Sequence, residues 1–117
     1  MRPSLELECV YLYRNPVDFR RSYIGLAALV EQEIGHNPFS GHLYIFTNKR
    51  RNKIKLLFWE TNGFVLYYKA LQEERFKWPK NSEELITLNG QQLNWLLDGY
   101  DISLMKPHKR LEYSSFC

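Results

Sequence analysis

A basic segment, NKRRNK at residues 48–53, combines residue types and spacing that favour contact with a phosphate backbone. Lysine and arginine neutralise phosphates and release the counterions that condense on nucleic acid, so a dense cationic run is a candidate DNA contact. The cationic side chains of this segment, with one lysine two residues beyond it, are Lys49, Arg50, Arg51, Lys53 and Lys55. We predict that they bind DNA from the tip of a two-stranded arm.

A second basic cluster lies near the carboxyl end and contains Lys106, His108, Lys109 and Arg110. The formal net charge of +3 and the pI of about 8.9 permit contact with nucleic acid without requiring it. We include this cluster among the predicted DNA contacts. The alternative for the first cluster is a solvated hairpin tip, because natural sheets place lysine and arginine on exposed edges to block aggregation.

Catalytic signatures are absent from the sequence. It contains no GxxxxGK[ST], GxGxxG, HExxH or GxSxG motif. The histidines His36, His42 and His108 are scattered, and we expect structural or surface residues rather than metal ligands. We therefore predict no enzymatic activity, no metal and no cofactor.

Length and composition fit one domain over residues 1–117, because 44% of the residues are hydrophobic and 15% are aromatic. No apolar run approaches the roughly 20 residues needed to cross a bilayer. Glu6 and Glu8 interrupt what would be the apolar core of a signal peptide, which favours the cytoplasm. Cys9 and Cys117 lack metal-site spacing, so we expect ordinary reduced thiols.

The first elements that must position the basic segment are a strand over residues 9–13 and a helix over residues 16–34. Asn15 is the expected N-cap of this helix, and Gly35 is expected to end it. Small and polar residues lie opposite its apolar stripe, and we predict a partner-binding face there at Arg21, Gly25 and Ala28. The alternative is an ordinary solvent face.

Three strands are predicted at residues 42–47, 53–60 and 64–69. The Asn62-Gly63 pair indicates a type I′ turn between the last two, which pairs Thr61 with Phe64 and Leu57 with Tyr68. Both faces of the middle strand carry large side chains, so we expect one face to meet helices and the other to stay partly exposed or meet a partner.

In the rest of the sequence we predict a short edge strand at residues 76–78, a second brief strand, and a helix over residues 89–98. Asn89 with Gln92 forms an expected capping box, and Gly99 an expected end. The buried stripe is predicted at Leu93, Leu96, Leu97 and Tyr100. Trp95 lies opposite, so it is either covered by the C-terminal tail or binds a partner.

The fold class expected from these elements is α+β. We predict an antiparallel β-meander of three to four strands, packed on one face by both helices.

Several longer stretches resemble a known family. They are YLYRNPVDFRRSYIGLAALVEQEIG, NPFSG, IFTNKRRNKIKLLFWETNGFVLYYKAL, RFKWP and PHKRLEY. In order and spacing they are similar to the small TnpB accessory proteins, second open reading frame products of the insertion-sequence-sixty-six (IS66) family of bacterial mobile elements. The resemblance covers nearly the whole chain. Ala70 departs from it, because a basic residue usually stands there.

The resemblance implies a role in DNA transposition beside a separate, larger transposase. With the basic clusters, it predicts a non-catalytic DNA-binding factor that acts with the transposase on element ends. The alternative is an adaptor that binds the transposase without contacting DNA, through the helix face or the second face of the sheet. The basic tip could also dock on an acidic surface of the transposase. Neither reading calls for a membrane or a small-molecule substrate.

Overall fold

A five-stranded mixed sheet carries the fold, and the computed structural model describes residues 9–79 and 83–104. The strands are β1 Val10–Tyr13, β2 Leu43–Thr47, β3 Lys53–Glu60, β4 Gly63–Ala70 and β5 Leu85–Leu88. Their order across the sheet is β4-β3-β2-β1-β5. Two α-helices accompany them, α1 Tyr23–Leu29 and α2 Gly90–Leu97. A π-helical turn, Val30–Ile34, continues α1, and a 3-10 turn, Ile102–Leu104, follows α2.

The sheet differs from the predicted antiparallel meander in having five strands and one parallel pair. Strands β2, β3 and β4 do form the expected antiparallel meander. However, β1 runs parallel to β2, and β5 adds to β1 in antiparallel fashion. Because parallel neighbours need a crossover connection, α1 lies between β1 and β2 in the chain. The α+β class holds, and the purely antiparallel topology is wrong.

The two helices pack on opposite faces of the sheet, which corrects the prediction that both cover one face. Side chains alternate between faces along a strand, so each strand contributes to two cores. On the α2 face, α2 packs on one alternating set from β1 to β3, with members Val10, Leu12, Leu43, Ile45, Ile54, Leu56 and Phe58. On the α1 face, α1 packs on the other set, with members Tyr13, Tyr44, Phe46 and Leu57.

Helix α1 begins at Tyr23, seven residues later than predicted. Asp18 forms a turn instead of a helical start, because its carboxylate accepts the backbone N–H of Arg20 at 2.9 Å. The backbone N–H of Val17 donates to the Thr47 carbonyl at 2.9 Å, which ties this segment to the end of β2. The predicted end is confirmed, since Gly35 caps the helical segment at a φ of 79°.

Helix α2 follows the sequence prediction closely. Asn89 and Gln92 form the full capping box, and Gly99 follows the helix at a φ of 93°. Leu93, Leu96 and Leu97 are buried as expected. Tyr100 is exposed, so its inclusion in the buried stripe is wrong.

The β3–β4 hairpin has a register two residues away from the predicted one. Glu60 pairs with Gly63 and Leu57 with Leu66, so the two-residue loop is Thr61-Asn62 instead of Asn62-Gly63. Thr61 takes the positive φ, at 48°, which is unusual for a β-branched residue. A shift of two residues leaves every side chain on its predicted face, because the alternation along a strand has a period of two.

Residues 72–79 form no strand, in contrast to the predicted edge piece at residues 76–78. Phe76 and Trp78 are instead buried in the α2-face core. The indole N–H of Trp78 donates to the Arg14 carbonyl at 3.0 Å, which fixes the segment beside β1. At the start of β1, Cys9 is disulfide-bonded, so the expectation of a reduced thiol is wrong for this residue.

Candidate nucleic-acid interface

The basic loop between β2 and β3 is organised by the side chain of Asn48. Its Oδ1 accepts the backbone N–H groups of Asn52 and Lys53, both at 3.1 Å. Its Nδ2 donates to Asn52 Oδ1 at 2.7 Å. Asparagine favours such local bonds because its short amide reaches nearby backbone groups. The loop that carries the cations therefore has one defined backbone conformation.

Two backbone bonds tie this loop to the chain after β4. The N–H of Phe76 donates to the Arg51 carbonyl at 2.7 Å, and that of Leu71 to the Asn52 carbonyl at 2.8 Å. Arg51 itself has a φ of 59°, in the left-handed region. The loop is thus anchored at the base of the buried Phe76 and Trp78 segment, and it is not the free tip of a projecting arm.

The predicted cations separate into two groups. Lys49, Arg50 and Lys53 line a groove of about 510 Å³ between the basic loop and residues 17–20. Arg20, which was not among the predicted DNA contacts, lies in the same groove. Arg51 instead lines a second groove of about 400 Å³, together with Lys77. We call the first of these the cationic groove.

Lys55 does not belong with the exposed cations. Only 6% of its surface is exposed, and its Nζ donates to the carbonyls of Phe19 at 2.8 Å and Arg21 at 3.0 Å. The ammonium also lies 4.9 Å from the Phe19 ring centre and 5.6 Å from that of Tyr68. Burial lowers the pKa of Lys55. Lys55 is therefore a structural residue that holds the segment before α1, which corrects its place among the DNA contacts.

Asp18 and Arg20 form an ion pair at the rim of the cationic groove. The Arg20 guanidinium donates to both carboxylate oxygens, with a shortest distance of 2.7 Å from Nη2 to Oδ2. These side-chain bonds, followed by the bond from the Arg20 backbone N–H, lower the pKa of Asp18 to about 2. The Arg20 side chain is 91% exposed, so its remaining donors face solvent.

An aromatic strip continues from the groove along the α1 face of β4. Tyr68 lines the groove, is 49% exposed and contacts the Phe19 ring edge-on at 6.1 Å. At the hairpin end, Phe64 packs with Tyr23, Phe39 and Trp59 at ring-centre distances of 5.9, 5.4 and 5.1 Å. The alternation of Phe64, Leu66 and Tyr68 could have predicted this strip from the sequence.

The predicted partner-binding residues do not form one surface, because Trp95 lies apart from the other three. Arg21 and Ala28 are exposed, and Gly25 is partly buried beside them. A Cβ added to Gly25 would lie 3.2 Å from Arg21 Cβ, so the glycine permits a close approach within this chain. Trp95 is partly buried and packs on the α2-face core, away from α1. The second basic cluster, Lys106, His108, Lys109 and Arg110, lies outside the described residues.

Two of the three predicted non-ligand histidines, His36 and His42, lie in the described part of the chain, and both contact tyrosine side chains. His36 Nδ1 lies 2.9 Å from the Tyr44 hydroxyl, and His42 packs edge-on against the Tyr11 ring. Within residues 9–79 and 83–104, no group of three or more potential ligand side chains could hold a metal ion. The helices in that same part of the chain are all too short or too polar to span a bilayer.

Comparison with known proteins gives one family and two relatives. The family model described as IS66 Orf2 like protein matches residues 8–107. The uncharacterized protein y4jC of Sinorhizobium fredii is 31% identical over 98 residues, which cover 82% of this chain and 84% of that protein. The uncharacterized protein y4hO of the same organism is 30% identical over 101 residues, covering 86% of this chain and 88% of that protein.

No solved structure matches the chain at a significant level. The family match extends over most of the sequence, from before β1 to beyond the 3-10 turn, and includes the whole cationic groove. This chain therefore belongs to the IS66 Orf2-like family, a family of accessory proteins associated with transposition.

Proposed function

We propose that this protein is a non-catalytic DNA-binding factor that helps the transposase of its element act on the element ends in the bacterial cytoplasm. The observation that carries the proposal is the cationic groove, where Lys49, Arg50, Lys53 and Arg20 converge from two segments of the chain. Asp18 is the carboxylate among the lining residues, and it is paired with Arg20. The groove thus keeps a positive charge suited to phosphates.

The rigidity of the loop adds to this argument. Lysine and arginine lose side-chain entropy when they bind, so a fixed backbone reduces what remains to be ordered. Asn48 supplies that fixed backbone through its bonds to Asn52 and Lys53. Such bracing also occurs in ordinary turns, so the network lowers the ordering cost of binding but does not by itself assign the role.

The test compares two triple variants with equal loss of charge. In the first, Lys49, Arg50 and Lys53 are changed to serine, and in the control Arg51, Arg75 and Lys77 are changed. Binding to element-end DNA and to random duplex is titrated at several salt concentrations. Each lost phosphate contact should reduce the slope of log affinity against log salt by about 0.9.

We expect the groove variant to lose affinity and about two to three units of slope, and the control to lose less than one. Circular dichroism checks that both variants remain folded. If the two variants weaken binding equally, only net charge matters and the groove is not the contact. If neither weakens binding, the groove is not the contact, and the same test passes to the second basic cluster at Lys106, His108, Lys109 and Arg110. Failure of the unchanged protein to bind DNA would reject the DNA-binding role.

A second candidate function is the adaptor role, which one observation favours. Ile24 on α1 is 64% exposed, next to Gly25 and one turn before the exposed Ala28. An exposed large aliphatic side chain beside small residues suits a helix from a partner protein. Changing Ile24 to serine should abolish co-purification with the transposase and leave DNA binding unchanged, while unaltered co-purification would reject this face.

A further inference from the structure

We propose that the cationic groove and the aromatic strip together bind single-stranded nucleic acid. In this arrangement phosphates lie against Lys49, Arg50 and Lys53, and unpaired bases stack on Tyr68 and then on the aromatic group at the hairpin end. The inference rests on the proposed DNA-binding function and makes its substrate class specific.

Tyr68 is the residue that joins the two parts of the surface. It lines the groove beside the basic loop, and its ring is half exposed on the α1 face. The Lys55 ammonium and the Phe19 ring contact Tyr68 from within the protein. These contacts hold the ring in one orientation, so stacking on it requires little further ordering.

The strip extends beyond Tyr68 far enough for more than one base. Phe64 lies four residues away on the same face of β4, roughly 14 Å at the rise of an antiparallel strand. Phe39, which is 54% exposed, contacts both Trp59 and Phe64 there. Glu60 lies at the hairpin end, where its negative charge repels phosphates. We therefore expect the bound strand to end before Glu60.

The chemistry favours a single strand over a duplex. In a duplex the faces of the bases are stacked on one another, so aromatic side chains on a sheet cannot reach them. Unpaired bases offer those faces, and protein surfaces that bind single strands combine a cationic track with aromatic platforms. The charge of the groove complements a phosphate backbone, and it distinguishes this surface from an apolar patch that would suit a protein partner.

The test measures binding of a labelled oligothymidylate and of a hairpin duplex with the same number of phosphates. Tyr68→Ala should weaken single-strand binding by about fivefold to a hundredfold, the range for loss of one stacked base, and weaken duplex binding by much less, because a duplex offers no base face to the ring. Tyr68→Phe should restore binding, because it keeps the ring. Phe39→Ala should weaken single-strand binding in the same direction. Tyr100→Ala, at a tyrosine that is 54% exposed outside the strip, is the control.

Two results would overturn the inference alone, and a third would reject the proposed function with it. Equal losses for both DNA forms on Tyr68→Ala would show a general defect instead of stacking. Wild-type behaviour of both Tyr68→Ala and Phe39→Ala would show that the strip does not contact bases, even if duplex binding through the basic loop persists. Failure of the unchanged protein to bind either form would reject the proposed function itself, and the inference with it.

Discussion

The two faces of the sheet carry comparable apolar side chains, yet only the α2 face is covered by other parts of the chain as far as the outer strand β4. We call the α2 face the closed face and the α1 face the open face. On the α2 face, the β4 residues Val65 and Tyr67 are partly buried against a large core. On the α1 face, their neighbours Leu66 and Tyr68 remain exposed. The difference shows that strand composition does not decide which surface is available to a partner. What covers each face decides it.

The cover of the α2 face is built from three parts of the chain. Helix α2, the Phe76 and Trp78 segment, and Ile102 all contribute to one core. Lys69 on β4 also binds α2, because its Nζ donates a hydrogen bond of 2.6 Å to the Leu97 carbonyl at the end of that helix. The α1 face has a helix of seven residues and an irregular entry segment, so the outer strand β4 is left partly uncovered.

Removing a large side chain from the closed face should have the largest effect on stability. Trp78 is 5% exposed, and Trp78→Ala should lower the free energy of unfolding by about 3–5 kcal/mol, because the cavity and the lost indole bond add together. Urea denaturation followed by far-ultraviolet circular dichroism measures the change.

The matched variant on the open face is Tyr68→Ala. It should cost about 1 kcal/mol or less, since the ring is half exposed and mainly loses its contacts with Lys55 and Phe19. Similar losses for the two variants would mean that the open face is a core like the other, and the comparison between the faces would fail.

The next largest effect concerns Lys55, which holds the entry segment on the open face. Lys55→Met keeps most of the stem but removes the donor for the Phe19 and Arg21 carbonyls, so we expect a loss of about 1–3 kcal/mol. Lys53→Met is the control and should change stability by less than about 0.5 kcal/mol. A neutral Lys55→Met would show that water satisfies these carbonyls and that the entry segment is not fixed by the lysine.

A smaller effect on stability is expected at the N-termini of the two helices, because only α2 has a side-chain cap. Asn89→Ala removes the capping box of α2 and should cost about 1 kcal/mol. Ser22→Ala should cost almost nothing, because Ser22 stands at the N-cap of α1 without a side-chain bond. Thermal unfolding of both variants and of the unchanged protein measures the two losses of stability. Equal losses would show that the capping box does not distinguish α2 from α1.

Elements governed by neighbouring residues could be predicted from the sequence. The capping box at Asn89 and the stops at Gly35 and Gly99 depend on short-range bonds and on glycine's freedom to adopt positive φ. Strand β3 has its predicted bounds because a segment rich in apolar and aromatic residues, KIKLLFWE, lies between two turns. These features need no knowledge of the distant chain.

The parts that failed depend on distant contacts. The Asn15-Pro16 signal fits a helix start, but the bonds of the Val17 N–H to the Thr47 carbonyl and of Lys55 to the Phe19 carbonyl hold that segment in another shape. Pairing of β1 with both β2 and β5 is likewise invisible to local patterns. In the candidate site, Lys49, Arg50 and Lys53 could be selected from their types, whereas Arg20 joins them only through the folded chain.

The smallest expected effect is an acid response of the open face, arising from the Asp18 and Arg20 pair. The pKa of Asp18 falls from 3.8 to about 2 in the folded protein, mainly through the guanidinium bonds. Because the folded pKa lies below the unfolded one, the stability from this pair is complete above 3.8 and is lost as the pH falls through about 2. Arg20→Gln should return the midpoint of Asp18, followed by carboxyl NMR, toward 3.8. High salt should act in the same direction on the unchanged protein, since the pair is exposed. An unshifted midpoint in Arg20→Gln would assign the low pKa to the bond from the backbone N–H of residue 20, which this substitution keeps.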